Sequence, residues 1–167
     1  MCSTMADGAA SAIVCAKEVV HKISAKLPIS ISACCLQSGE VTGTEDGQRR
    51  VAATAYEMAG LGPKDIELAE VHDAMASGEM DRLEKLGLRK AEEAGKLVDE
   101  GYFTLNGGLP VNPSGGLAAR GHPIGATGLA QIAELVWQMR GEAGSRQAKG
   151  RNRLKKLRIS AKDQGGC

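Results

Sequence analysis

The stretch from Asn112 to Gly128 constrains the fold more than any other part of this sequence. Its seventeen residues, NPSGGLAARGHPIGATG, contain two prolines, five glycines and one histidine, His122. Glycine lets the backbone approach a neighbour closely, and proline fixes the direction of the chain. The stretch runs into a helix, which apolar residues at helical spacing predict over 128–144. We therefore expect His122 on a constrained loop at the start of a helix.

That position favours a particular chemistry for His122. The start of a helix is the positive end of its dipole, which disfavours a protonated imidazole. A neutral ring can accept a proton or donate a hydrogen bond to a developing oxyanion. Gly121 and Gly125 would let the backbone come close to a ligand, so both are candidate cofactor-binding residues. The alternative is a tight turn that carries a surface histidine.

A second histidine follows a predicted strand. Residues 65–71 predict a strand by alternation at Ile66, Leu68 and, imperfectly, Val71, and His72 comes directly after them in the stretch AEVHDAM. Ligands gather at the carboxyl ends of strands in α/β sheets, so His72 is a candidate catalytic residue together with His122. Asp73 belongs either to that site or to the cap of the helix predicted over 73–88. His21 lies in a lysine-rich helical stretch, and we expect it to be solvated.

The remaining pattern predicts an α/β or α+β order. Residues 9–16 form either a buried strand or a buried helical turn, and alternation predicts a strand within 29–35. Helices are predicted over 17–24 and 48–62, and a short one follows residue 88. In the last helix, which we expect to include 126–140, we predict one buried face, formed by Leu129, Ile132, Leu135 and Val136.

Composition sets broad limits. The 167 residues suffice for one domain, with 43% apolar residues but only four aromatic ones. The formal net charge is +1, yet seven Lys or Arg and one acidic residue follow from Lys149 onward. We read this end as a solvated basic tail, and no nucleic-acid partner is expected. The five cysteines have no metal-binding spacing, and the sequence predicts neither a metal site, a membrane span nor a signal peptide.

Three stretches carry a family resemblance: DGAASAIV (7–14), AEVHDAM (69–75) and the long run over 111–144. Together they resemble the thiolase superfamily, in particular the sterol-carrier-protein-linked thiolases and the archaeal and bacterial acetyl-CoA acetyltransferases. The resemblance implies an α/β, thiolase-like mixed sheet with helices on both faces. It also implies that 1–25 ends the family's N-terminal half, that 26–148 is the C-terminal domain, and that 149–167 is a divergent basic tail.

The resemblance further implies acyl transfer between coenzyme A thioesters, with acyl-CoA as substrate and no permanently bound cofactor. His122 matches the family's GHP histidine, which would polarise a cysteine nucleophile and help to bind an oxyanion. His72 matches the first position of the branch's HDCF motif and would hold a water or the substrate carbonyl. Such proteins are expected as homo-oligomers or with a partner thiolase half, in the cytoplasm or, in a eukaryote, the peroxisome.

Three departures from the family leave alternatives open. No stretch resembles the motif of the nucleophilic cysteine, so the half that carries it is expected to be absent. Ala74 stands where the sterol-carrier branch has an acid/base cysteine, and alanine cannot transfer a proton. After Gln147 the final strands are expected to be missing or altered, as in a truncated or frame-shifted chain; LKKLRISAK (154–162) predicts a short strand or a helical turn. The chain is then an incomplete thiolase half, one subunit of a split enzyme, a non-catalytic partner, or a remnant that folds poorly and does little.

Overall fold

The computed structural model describes residues 2–38 and 47–150, together with the backbone of two short strands farther on. The α/β class is confirmed: six helices accompany four short strands in the described residues. The helices are α1 (Val20–Ile23), α2 (Gly47–Ala59), α3 (Ala76–Lys85), α4 (Ala94–Asp99), α5 (Gly116–Arg120) and α6 (Ile124–Arg140). Single 3-10 turns lie at Pro63–Asp65, Ala91–Glu93 and Gly144–Arg146.

The strands form two separate parallel pairs. They are β1 (Ser30–Ile31), β2 (Leu36–Gln37), β3 (Lys156–Leu157) and β4 (Lys162–Asp163). Strand β1 pairs with β3, and β2 pairs with β4, so most of the sequence separates the two strands of each pair. The stretch LKKLRISAK, which predicted either a strand or a helical turn, therefore contributes strand residues. The predicted basic tail spans 149–167. Apart from residues 149–150 and the strands β3 and β4, it lies outside the described residues.

Residues 9–16 form neither the buried strand nor the buried helical turn that their pattern predicted. These residues have no regular structure, and the side chains of Ile13 and Val14 are 84% and 75% exposed. A strand requires hydrogen-bonding partners along its edge, and none of the described residues supplies them there. The alternation over 29–35 predicted a longer strand than the two residues of β1 that the structure contains.

Residues 66–71 follow the 3-10 turn at Pro63–Asp65 but do not form a regular strand. Ala69 makes a parallel bridge with Val111, in which its N–H donates to Pro110 O and its carbonyl accepts from Asn112 N. Asn112 then has a φ of 47°, so the partner segment turns away. The next bond is made by a side chain: Val71 N donates to Asn112 Oδ1 at 2.8 Å. Burial does not follow the predicted alternation, because Leu68, Ala69, Glu70 and Val71 are all buried, and the ladder stops after one bridge.

Helices pack on both sides of this extended segment. Leu68 packs with Leu135, Met139 and Ala148, which places α6 on one side. Ala69 and Val71 lie in the other cluster with Leu83 of α3. Because alternate side chains of an extended chain point to opposite faces, one short segment joins both hydrophobic clusters. His72 directly follows this segment, so the two hydrophobic clusters fix the position of its backbone.

Most of the remaining differences between the predicted and observed helices lie at the helix ends. Helix α2 stops at Gly60, whose φ of 64° ends the helix, and α3 stops before Gly87 for the same reason. Helix α6 begins at Ile124, and its buried residues include Ala126, Leu135 and Met139. Leu135 is thus buried as predicted, Ile132 and Val136 are half-buried, and Leu129 is 39% exposed, so the predicted face was rotated from the true one. Helix α5 was not predicted at all.

Candidate functional site

Two hydrogen bonds hold the backbone of Val71, the residue before His72. The preceding N–H, of Val71, donates to Asn112, and the carbonyl of Val71 accepts from Gln131 Nε2 at 2.9 Å. Asn112 also donates to Glu79 at 3.1 Å, which fixes its amide. A helix-borne glutamine and a loop asparagine therefore clamp the residue before His72. The half-buried ring of His72 leaves this clamp towards the start of α6.

His122 is held by the N-terminal segment of the chain. Its N–H donates to Thr4 O at 2.9 Å, and it forms a parallel bridge with Met5. The same segment reaches the other motif, because Ser3 N donates to Ala74 O at 2.8 Å. Residues 2–5 thus connect the two histidine loops like a short strand, a role that the sequence did not reveal.

The two imidazoles meet. His72 Nε2 and His122 Nε2 are 3.3 Å apart, and the rings lie edge to face, with centroids 4.9 Å apart. The structure thus brings the two candidate catalytic histidines together, while their catalytic role stays a prediction. His122 Nδ1 faces away from this contact and lies 2.8 Å from Thr127 Oγ1. His21, by contrast, is exposed in α1 and takes no part in the site.

The surroundings keep His72 neutral. Burial lowers the pKa of His72 from the ordinary 6.5. The positive charge of Arg82 and the neighbouring imidazole of His122 lower it further. The carboxylate of Asp73 acts in the opposite direction but does not prevail. At neutral pH the His72 ring is therefore an uncharged hydrogen-bonding group.

Two buried carboxylates, those of Glu70 and Asp73, connect the segment at His72 to the segment before His122 by hydrogen bonds. Glu70 is 1% exposed, and it accepts hydrogen bonds from Ser114 N at 2.9 Å and Ser114 Oγ at 2.8 Å. Burial raises the pKa of Glu70 from 4.5 to about 7, although the bonds from Ser114 oppose this shift. Asp73 accepts a 2.7 Å bond from Leu117 N at the start of α5. Asp73 thus caps α5 and not the helix that follows it, since α3 has no side-chain cap.

The two candidate glycines have different surroundings. Gly121 has φ 82° and ψ 172°, and a Cβ placed on it would lie 2.7 Å from Ala6 Cβ. Its backbone therefore approaches the N-terminal segment. Gly125 has open space around it and lines a groove of about 390 Å³ that Ala6–Ala10 and the start of α6 enclose. Ligand binding by either glycine stays a prediction.

Several site residues could not be singled out from the sequence. Thr127, Glu70, Asn112 and Ser114 all contact the histidine loops, but they are common residue types with no distinctive spacing. The one available signal was their position, since Asn112 and Ser114 belong to the constrained stretch and Glu70 lies just before the histidine at the strand end. The partners of Asn112 and Ser114 lie 41 and 44 residues away in the chain, beyond the reach of any local pattern.

Neither imidazole has a thiol partner in the described part of the chain. Of its cysteines, Cys35 contacts Met58 Sδ at 3.2 Å, and none forms a hydrogen bond with His72 or His122. Among the described residues, no group of three or more side chains is able to hold a metal ion. The same residues contain no helix with the length and hydropathy needed to cross a bilayer.

Comparison with known proteins identifies the family. A family model described as thiolase C-terminal domain-like matches residues 33–155, most of the chain. The chain belongs to the thiolase family. The division into 1–25, 26–148 and 149–167 stays a prediction, whereas membership rests on the match itself.

Three relatives illustrate the similarity to whole thiolases. The acetyl-CoA acetyltransferase of Methanothermobacter thermautotrophicus is 42% identical over 156 residues, which cover 89% of this chain and 40% of that protein. Sterol carrier protein 2 of Rattus norvegicus is also 42% identical, over 89% of this chain and 29% of its own length. The benzoylsuccinyl-CoA thiolase subunit BbsB of Thauera aromatica is 36% identical, over 99% and 44%. The chain thus spans less than half the length of these relatives.

A solved structure shares the thiolase-like fold. The Ltp2-ChsH2(DUF35) aldolase superposes with a TM-score of 0.55 and 29% sequence identity, covering 61% of this chain and 26% of that one. This likeness confirms the thiolase-like α/β class.

Proposed function

We propose that this chain supplies the histidine half of a thiolase-type site that transfers acyl groups between coenzyme A thioesters. The observation that carries the proposal is the 3.3 Å contact between His72 and His122 in a chain of the thiolase family. The match of two relatives named for acetyl-CoA and benzoylsuccinyl-CoA chemistry supports a coenzyme A thioester as the substrate. On this proposal acyl-CoA is bound only during turnover, with no permanent cofactor.

In the proposed mechanism the two rings have complementary roles. His122 Nε2 accepts the proton of a cysteine thiol, and the resulting thiolate attacks the thioester carbonyl. As the carbonyl oxygen becomes negative, ring N–H groups of His72 and His122 stabilise it. Collapse of this intermediate expels the coenzyme A thiolate and leaves an acylated cysteine. Neutral imidazoles suit both tasks, and the lowered pKa of His72 supports its part.

We further propose that the thiol comes from a thiolase N-terminal half, as in a split enzyme or within an oligomer. Large apolar side chains of the described N-terminal region and of α6 face solvent: Met5 at 85%, Ile13 at 84%, Leu36 at 73% and Ile124 at 65% exposure. A second half would cover them and exclude water, which strengthens the action of the ring N–H groups on charge. The name of one relative, a thiolase subunit, supports such pairing. The expected compartment is the cytoplasm, or the peroxisome in a eukaryote.

The test mixes purified chain with acetoacetyl-CoA and coenzyme A and follows thiolysis. The chain alone should show no turnover. Adding a separately produced N-terminal half of the Methanothermobacter relative should restore it, and His122→Ala in this chain should abolish the restored rate. His21→Ala is the matched control and should leave the restored rate unchanged.

Two outcomes would contradict the proposal. Robust, His122-dependent thiolysis by the chain alone would mean that one of its own cysteines is the nucleophile, and cysteine-to-serine variants would identify it. A tight complex with the added half but no turnover would favour the alternative of a non-catalytic partner.

Aldol cleavage of a coenzyme A thioester is a second candidate. The likeness to an aldolase at 29% identity favours it, as does Ala74, which cannot transfer a proton. A retro-aldol reaction needs a base and an oxyanion stabiliser but no acylated cysteine. Release of a carbonyl product from a 3-hydroxyacyl-CoA, unaffected by serine at the nucleophile position of the added half, would support it over acyl transfer.

A further inference from the structure

We propose that Thr127 is a positioning residue that holds His122 in the tautomer with hydrogen on Nδ1, so that Nε2 offers a lone pair towards His72. The consequence for turnover rests on the proposed function, but the tautomer itself does not. The proposal stands on three linked contacts, from Pro123 through Thr127 and His122 to His72.

The first link follows from the count of hydrogens. Thr127 Oγ1 lies 3.0 Å from Pro123 O, which can only accept, and on this proposal the hydroxyl gives its single hydrogen to that carbonyl. Towards His122 Nδ1, 2.8 Å away, the hydroxyl therefore presents a lone pair. The ring nitrogen must then carry the hydrogen. Since a neutral imidazole has only one N–H, His122 Nε2 is left bare.

The second link sets the state of His72. Two bare nitrogens 3.3 Å apart would repel, as would two N–H groups. With His122 Nε2 bare, the contact is a hydrogen bond only when His72 Nε2 carries the hydrogen. Thr127 thereby assigns the roles of both rings, with His122 as the proton acceptor and His72 as the hydrogen-bond donor. Once His122 takes a proton, the two N–H groups repel, and both are released towards an oxyanion.

The surroundings of Thr127 suit this role. Its side chain is 3% exposed, so water does not compete for the ring nitrogen, and a β-branched residue in a helix has few rotamers. Pro123 O also accepts from Ala126 N and Thr127 N, both at 2.9 Å. Removing the hydroxyl would therefore leave this carbonyl satisfied, and Thr127→Val changes little besides the partner of His122.

The test records nitrogen-15 chemical shifts of the histidine rings in the full chain, because protonated and bare ring nitrogens differ strongly. In the wild type we expect His122 with hydrogen on Nδ1. Thr127→Ser should keep that pattern, whereas Thr127→Val should shift His122 towards the Nε2–H form that free imidazole favours. Thr54→Val is the matched control, because the hydroxyl of Thr54, at an exposed position of α2, also donates to the carbonyl four residues earlier. This variant should leave the His122 spectrum unchanged.

A wild-type spectrum with hydrogen on His122 Nε2 would overturn the proposal without any variant, and so would a Thr127→Val spectrum identical to the wild type. In the two-part enzyme, Thr127→Val should lower kcat roughly five- to tenfold with little change in KM, the loss expected for one hydrogen bond. Absent turnover with the expected tautomer would refute the proposed function alone. Unchanged kcat with the expected shift in tautomer would refute the role of the tautomer in catalysis.

Discussion

Gly121 and Gly125 lie four residues apart beside His122, yet they are glycines for different reasons. The φ of 82° and ψ of 172° at Gly121 fall in a region that only glycine adopts readily, and Ala6 fills the space where a Cβ would lie. Gly125 sits in the first turn of α6, and a Cβ added to it would have nothing within 4 Å. Only the first of them is required for the backbone to hold His122 against Thr4.

Gly121→Ala should therefore destabilise the chain, and Gly125→Ala should not. We expect Gly121→Ala to lower the free energy of unfolding by about 2–3 kcal/mol, from backbone strain and contact with Ala6. Gly125→Ala should raise it by up to about 1 kcal/mol, because alanine is the better helix former. Urea unfolding followed by circular dichroism measures both. Equal losses in the two variants would mean that the 121 loop does not dock on the N-terminal segment.

Helix α5 shows how an element can depend on a distant side chain. It has only five residues, too few to be stable alone in water. The Asp73 carboxylate, 44 residues away, accepts from Leu117 N, and Gly116 lets it approach so closely that a Cβ there would collide with it. Helix α5 in turn leads directly into Gly121 and His122.

Asp73→Ala should consequently loosen α5 and the loop that follows. We expect a loss of about 1–3 kcal/mol in the free energy of unfolding, since a buried N–H is left without a partner. Hydrogen exchange of Leu117 should accelerate, and Asp73→Asn should restore part of the protection. The control is Asp81→Ala, which removes a surface ion pair with Lys85 and should cost less than about 0.5 kcal/mol. Unchanged exchange at Leu117 in Asp73→Ala would contradict the capping role.

At the scale of the whole molecule, Glu70 joins the two halves of the site. It lies between the two hydrophobic clusters, on the extended segment, and holds the loop at Ser114 through both oxygens. Burial of the charged form raises its pKa to about 7, so the folded chain retains a proton that the unfolded chain releases near 4.5. The folded state is then favoured at low pH, and this contribution is lost as the pH rises from about 4.5 through about 7.

The pH dependence of stability should reveal this group. Between those two pH values the wild-type free energy of unfolding should fall by at most about 3 kcal/mol relative to Glu70→Gln, and the difference should level off above pH 7. Urea unfolding across this range measures it. The comparison isolates Glu70, because Glu79, whose pKa burial raises, and His72, whose pKa burial lowers, remain in both proteins. Glu57→Gln, at an exposed position of α2, is the control. A constant difference across the range would contradict the raised pKa.

The sequence by itself predicted those features of the protein that depend on residues close together in the chain. Helical spacing of apolar residues located α2, α3 and α6, because a helix buries residues from its own few turns. The motif around Gly121, His122 and Pro123 pointed to the family and to one candidate catalytic ring, and the end of an alternating segment indicated the other.

Tertiary structure decided which partners those residues meet. Asp73 could cap either of two helices, and only packing brought it to Leu117. The segment 65–71 has the alternation of a strand, yet Asn112 replaces the backbone ladder after one bridge. His122 owes its expected tautomer to Thr127, and its 3.3 Å contact with His72 joins residues fifty positions apart. Hydrogen bonds between distant residues leave no periodic trace in a sequence, so only the folded chain reveals them.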